Sequence, residues 1–297
     1  MPLGLSFGNC LGLGGHLNQD LLINTRYWDP SDIDIIAWYD ASDDANNTVV
    51  NGAVTQWSDK SGNDNHLISN IVGLEPTRGT TTRNSLLVNE FDGTQFMECF
   101  DLDPGVGDVG IFIVANVIDA DNINDSIFGF SDNNLEFRAN SNVGFNGVLQ
   151  KNDGLNRVVA GGAVAINGYA LYSLMLDQVN GNISVFLNGT LLGSVRNDNA
   201  PGLVEGDLIM GANIAGDNAI EGEIGEVIFE DSVETLKRQT IEGYLAHKWG
   251  LEGQLPPSHP YDVDPPKIVE IAPAEYLTDE NGNIMYDNNN QPILVQG

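Results

Sequence analysis

Three carboxylates stand close together in the run Glu221-Gly222-Glu223-Ile224-Gly225-Glu226. On a β-strand, side chains two apart point to the same face. Glu221 and Glu223 would then form a pair of the kind that protonates and attacks a glycosidic bond. Gly222 and Gly225 count against this, because glycine interrupts strands, and a solvent-facing row of carboxylates has the same pattern. A second set of oxygen donors, Asp59, Asn63, Asp64 and Asp92, suits calcium by type. The same side chains build turns by bonding their own backbone, and turn chemistry is the stronger expectation. Asp279-x-Asn281-x-Asn283 begins like a calcium loop, but Asn290 occupies the twelfth position, where a bidentate glutamate is needed. The histidines, His16, His66, His247 and His259, show no zinc-binding spacing. No nucleophile elbow and no phosphate-binding loop occurs. The expectation is a chain with no catalytic residues and no cofactor, with calcium at most an accessory at Asp59, Asn63, Asp64 and Asp92.

Composition narrows the class of protein that positions these groups. Twelve basic against 42 acidic residues give a net charge of −30 over 297 residues. Such a chain is repelled by nucleic acid and by anionic membranes, so neither is an expected partner. The hydrophobic fraction of 41% fills a core, and 34 glycines supply turns. Two cysteines, Cys10 and Cys99, make neither a disulfide framework nor a zinc cluster. The N-terminus has no basic segment before its apolar residues and no small-residue cleavage site. Export by the general secretory route is therefore not expected. No run approaches the ~18 apolar residues of a membrane span.

The pattern along the chain is that of many short strands. Ile35–Asp40, Val54–Trp57, Ile111–Val117, Ser126–Phe130, Leu135–Ala139, Tyr169–Leu176 and Ile220–Glu230 are strand candidates. Asp92-Gly93 and Asn188-Gly189 mark turns, the latter between two apolar runs, Ile183–Leu187 and Leu191–Val195. One helix is expected from about Leu236, capped by Asp231 or Ser232 and closed by Gly250. Residues 1–27 read as a glycine-interrupted arm. Residues 262–297 read as a linker and a hairpin tail around Asn281-Gly282.

Several motifs resemble those of one fold family. Trp57-Ser58-Asp59-Lys60-Ser61-Gly62-Asn63-Asp64-Asn65-His66, Phe91-Asp92-Gly93 and Ser184-Val185-Phe186-Leu187-Asn188-Gly189 are similar to elements of laminin-G-like jelly-roll domains of the concanavalin A-like superfamily. Gly222–Ile228, the Leu236–Leu251 helix and Leu255–Tyr261 resemble a closing segment of bacterial and phage members. The likeness spans residues 28–261. It implies an all-β antiparallel jelly-roll sandwich with one helix near its C-terminal side. Glycanases of this superfamily carry a similar acid–x–acid–x–x–acid run, but with Asp where Glu223 stands. The resemblance also allows a rim calcium near Asp59. Trp28, Trp38, Trp57 and Trp249 would stack sugars if exposed, and their apolar neighbours place them in the core.

Function is less constrained than fold, because one fold hosts many functions. The first expectation is a non-enzymatic virion structural protein that decorates a phage capsid or tail. It would be assembled in the host cytoplasm and held to other virion subunits, or to itself, through the arm and tail. The second is a carbohydrate-binding adhesin or receptor-binding module acting outside a cell or on its surface. A glycan hydrolase, using Glu221 and Glu223, is the third.

Overall fold

The computed structural model describes residues 23–105, 107–119, 125–131, 135–140, 144–150, 156–160, 168–177, 179–196, 205–271, 279–281 and 283–288. The arm expected at 1–27 falls outside these residues as far as position 22. The strands, in order, begin with β1 (Ile23–Tyr27), β2 (Ala37–Asp40), β3 (Asn47–Val50), β4 (Ala53–Trp57), β5 (Leu67–Ile68) and β6 (Thr77–Arg83). Next come β7 (Leu86–Asp92), β8 (Met97–Leu102), β9 (Val109–Asp119), β10 (Asp125–Phe130), β11 (Leu135–Asn140), β12 (Gly144–Gln150) and β13 (Asn156–Ala160). The last are β14 (Ala170–Asp177), β15 (Asn182–Leu187), β16 (Thr190–Arg196), β17 (Gly206–Met210), β18 (Glu221–Glu230) and β19 (Lys267–Ile271). Among the described residues a single α-helix, α1 (Thr235–Trp249), lies between the last two.

The fold is an all-β antiparallel sandwich. One layer runs β16-β15-β14-β9-β18, with β2 and β7 both pairing on the far side of β18 and β6 beyond β7. The other runs β4-β5-β8-β17-β10-β11-β12-β13. Alternation explains the core. Val109, Ile111, Ile113, Ala115 and Val117 of β9 point inward to meet Phe128, Phe130, Leu135 and Phe137 from the facing layer. Phe112 and Val114 point the other way and are still fully buried, which is why β9 reads as a continuous apolar run. The cover on that outer face is α1, which contacts β9 and β14.

Local chemistry sets the ends of these elements. Asn188 and Gly189 both take positive φ, 47° and 76°, and close the β15–β16 hairpin. Gly250 ends α1 in the left-handed conformation, φ 64°. At its other end, the expected cap is displaced. Glu234 occupies the N-cap position without a side-chain bond, and Ser232 Oγ accepts from the Glu234 N–H just outside the helix.

All four tryptophans are buried, Trp57 and Trp249 completely, which bears out the core reading over a sugar-stacking one. Phe91 is also core, at 3% exposure. No helix among the described residues is long and apolar enough to cross a membrane.

The chain divides into two compact units, one covering Trp28–Pro266 and the other Met1–Tyr27 with Lys267–Gly297. In the second unit, β1 and β19 pair antiparallel from Ile23↔Ile271 to Tyr27↔Lys267. The arm and tail, expected to hold the chain to other subunits or to itself, thus pair with each other through Ile23–Tyr27 and Lys267–Ile271. The tail turn is held by Asp279, whose carboxylate accepts from the N–H groups of Asn281 and Asn283. The rest of the expected tail hairpin, beyond Asn288, lies outside the described residues.

Candidate functional site

Of the three glutamates in the enzyme-like run, Glu226 is fully buried under α1. Its two oxygens accept from Trp38 Nε1 (2.7 Å), Trp249 Nε1 (2.7 Å), Tyr244 Oη (3.0 Å) and Lys248 Nζ (2.7 Å). Lys248 also reaches Asp40 (2.8 Å), which Lys60 meets from the other side (3.0 Å). Burial pushes the Glu226 carboxyl up from its ordinary range, against Lys248 and the indole donors. Burial acts on Asp40 in the same sense, but Lys248, Ser42 and Lys60 outweigh it and hold Asp40 low. Gly225 lets the helix approach: a Cβ there would lie 2.9 Å from the Trp249 ring. A second buried group does similar work nearby. Glu242 binds Arg238, Ser173 Oγ (2.8 Å) and His259 Nε2 (3.2 Å). These groups fasten a helix to a sheet and leave no oxygen facing a cleft.

Glu223 and Glu221 part company with Glu226. Register shifts fall between Glu221 and Gly222 and between Ile224 and Glu226. Glu221 is exposed, while Glu223 is 8% exposed and sits in register between Glu90 and Asn116. Asn116 Nδ2 donates to Glu223 at 2.7 Å, and the N–H groups of Thr80 and Thr81 donate to Glu90. Burial, reinforced by the Glu90 carboxylate, pushes the Glu223 carboxyl up against the Asn116 amide. Like charges opposed across strands are unfavourable, and these bonds offset the opposition. Along β7, Glu223 stands opposite Glu90 and Glu221 opposite Asp92.

The calcium candidates are placed as turn residues. Asp59 accepts from Trp38 N–H (2.8 Å), Ser61 N–H (2.9 Å) and Asn65 N–H (3.1 Å). Asn63 donates to the carbonyls of Ile35 and Ile36. His66 Nδ1 accepts from the Asp59 N–H. Asp64 points outward with its side chain 92% exposed. Asp92 accepts from Thr94 N–H and lies at the separate Asp-Gly turn. No cluster of three or more His, Cys, Asp or Glu among the described residues has the arrangement to hold a metal ion. Since Asp59 is already occupied by backbone donors, chelation with EDTA is expected to leave the melting temperature nearly unchanged. A large fall restored by calcium, and not by magnesium, would assign a metal to this turn.

Open space is found elsewhere. A groove of ≈ 440 Å³ is bordered by Asp34, Ile35, Ile36, Asn63, Asp103, Pro104, Gly105, Gly107, Asp108 and Asp231. A second, of ≈ 320 Å³, shares Asp34, Ile35 and Asn63 and adds Pro30, Ser31, Ile33, Trp38, Lys60 and Ser61. Together they offer carboxylates, an amide and hydroxyls beside proline and isoleucine surfaces. Lys60 is engaged by Asp40 and Asp43.

No protein-family model and no curated sequence matches the chain. Solved structures resemble it in part. Domain 4 of AbnA, a GH43 extracellular arabinanase from Geobacillus stearothermophilus, in complex with arabinotriose, is 14% identical with a TM-score of 0.50. That likeness covers 69% of this chain and 95% of that one. The Ruminococcus gnavus IT-sialidase CBM40 bound to α2,3-sialyllactose is 15% identical with a TM-score of 0.42, over 51% of this chain and 93% of that one. The binding domain of botulinum neurotoxin serotype G is 11% identical with a TM-score of 0.47, over 85% and 55%. The likeness to the arabinanase domain concerns the fold alone.

Sequence reasoning passed over Asp34, Asp103 and Asp108 and read Asp231 only as a candidate helix cap. They are isolated aspartates in loops, in a chain with 42 acidic residues, and no spacing joins them. Asn63 and Asp231 were singled out, each for another role. The one available signal was the turn cluster after Trp57, which folds against Ile35 and Ile36 and so forms one wall of both grooves.

Proposed function

We propose that this chain is a non-catalytic carbohydrate-binding sandwich that acts outside a cell or on its surface. The observation that carries this reading is the pair of adjoining grooves, which presents polar groups that recognise hydroxyls next to apolar surface for ring faces. A domain of the same fold solved with arabinotriose is in keeping with it. Hydrolysis is not part of the proposal. Glu226 is spent on holding α1, and Glu223 and Glu90 are each bonded to local donors. Decoration of a virion, the first expectation from the sequence, has less support, since the domain of like fold is one solved in complex with arabinotriose.

The test is a glycan panel read by calorimetry and by reducing-sugar release. We expect at least one oligosaccharide to bind, weakened about tenfold or more by Asp34→Ala, which removes a polar contact shared by both grooves. No reducing sugar should be released. Release that disappears in Glu223→Gln would overturn the non-catalytic reading. Binding that ignores Asp34→Ala would move the site elsewhere.

A further inference from the structure

The pairing of β2 with β18 sets two buried carboxylates, Asp40 and Glu226, directly opposite each other. Like charges so placed repel, and Lys248 reaches between them from the last turn of α1. Its Nζ lies 2.8 Å from Asp40 Oδ2 and 2.7 Å from Glu226 Oε2. The Asp40 carboxyl carbon is one C–O bond further, so at most about 4 Å from that nitrogen. The neighbouring groups are arranged around this carbon. Asp40 Oδ1 accepts from the Ser42 N–H (3.0 Å) and the Ser42 hydroxyl (2.6 Å), and Oδ2 accepts from Lys60 Nζ (3.0 Å). Glu226 has no exposed surface, and its other donors are uncharged: two indoles and a phenol. Burial pushes its carboxyl up, which fits it to take a proton from Lys248. An amine, a carboxyl carbon with donors on both oxygens, and a buried proton carrier are the parts that amide condensation requires.

We propose that Lys248 Nζ and Asp40 Cγ join in an intramolecular isopeptide bond, with Glu226 as the proton carrier. The Lys248 ammonium gives one proton to Glu226, which passes it to Asp40 Oδ2, so amine and carboxyl meet as neutral groups. The Nζ lone pair forms the bond to Cγ, and the carbonyl electron pair moves onto Oδ1, where the two Ser42 donors hold the charge. A second proton passes from Nζ through Glu226 to Oδ2. The Cγ–Oδ2 bond then breaks with its electron pair on oxygen, and Oδ2 departs as water. The third proton stays on the amide nitrogen, and Oδ1 stays as the amide oxygen. One ammonium and one carboxylate become one amide and one water, and Glu226 returns to its starting state. Groups held in contact react at effective concentrations of about 10⁵–10⁸ M, which offsets the unfavourable condensation of free amine and carboxylate in water. Lys60 is the rival nucleophile. Burial works to lower its proton affinity, but Asp40 and Asp43 outweigh it and keep Lys60 an ammonium. The bond ties β2 to α1 and closes a covalent loop around most of the sandwich. It does not depend on what the grooves bind.

Intact-mass spectrometry of the denatured full chain tests this, beside Lys248→Arg and Glu226→Gln. Arginine keeps a cation between the carboxylates but stays protonated and cannot attack. The natural chain is expected to be lighter than its sequence by one water, and both variants to keep their full sequence masses. Digestion of the natural chain should yield a branched peptide joining Asp40 to Lys248. Cooperative melting reports the folding of each chain, and the mass of the natural chain decides the bond whether or not a variant folds. A folded natural chain at full sequence mass leaves Lys248 an ion-pair partner only and overturns the proposal. So does a water lost instead at Asp92-Gly93, where an aspartyl-glycine pair can close to a succinimide, or a bond made by Lys60. A Glu226→Gln chain that links as completely as the natural one overturns the role of Glu226 as carrier.

Discussion

Replacing Glu226 with alanine is expected to destabilise the protein by about 3–5 kcal/mol, the usual cost of removing one partner from a buried ion pair. The variant would leave Lys248 facing Asp40 alone and would orphan the indole N–H groups of Trp38 and Trp249 and the Tyr244 hydroxyl. Each unsatisfied buried donor adds its own desolvation cost. Urea unfolding followed by tryptophan fluorescence measures the change, and two of the reporting indoles sit at the lesion. Glu226→Gln should be milder, because the amide oxygen still accepts while its NH₂ group meets donors instead of acceptors. A loss of under about 0.5 kcal/mol for the alanine variant, the range of an ordinary surface change, would mean that α1 is not fastened by this carboxylate.

Trp57→Ala is the second large effect, about 3–5 kcal/mol. Trp57 has no exposed surface and packs against Tyr39, ring centroids 5.8 Å apart, at the end of β4. Its Nε1 makes no hydrogen bond, so the side chain contributes through area and packing rather than polarity. Alanine would leave a cavity between the layers that backbone pairing on β4 prevents from closing. A variant that melts with the parent and loses glycan binding would make Trp57 a ligand platform instead, and the core assignment would fall.

How far the sequence reveals this molecule depends on how local each signal is. The inward and outward faces of β9 are both apolar, and the run from Ile111 to Val117 declares a buried strand by itself. Asn188-Gly189 and Gly250 carry their own conformations. By contrast, β6 is Thr-Arg-Gly-Thr-Thr-Thr-Arg, exposed along most of its length and paired to β7 through a register shift, so no alternation marks it. Asn47–Val50 passes for loop because three of its four residues face solvent. The site follows the same rule. Glu226 looks like a member of a carboxylate row until a helix that ends 23 residues later covers it with Trp249 and Lys248. Asp34 and Asp231 are brought to one groove by the pairing of β2 with β18, a contact nearly two hundred residues apart in the chain that no short motif announces.

The ribbon formed by β1 and β19 has a mechanical consequence. Its strands run antiparallel, and its free ends are Ile23 and Ile271, on the side away from the connections to Trp28 and Pro266. Tension applied to the chain outside those two residues therefore peels the pair from one end, breaking its rungs in turn instead of loading them all together as shear would. Beyond the ribbon the resistance rises: the Trp28 N–H is bonded to the Pro266 carbonyl at 3.0 Å, and the buried Trp28 ring packs edge-on against Tyr244 of α1. A pull on both ends thus opens the ribbon at low force before it loads this anchor and β2, where four paired residues against β18 resist as a group.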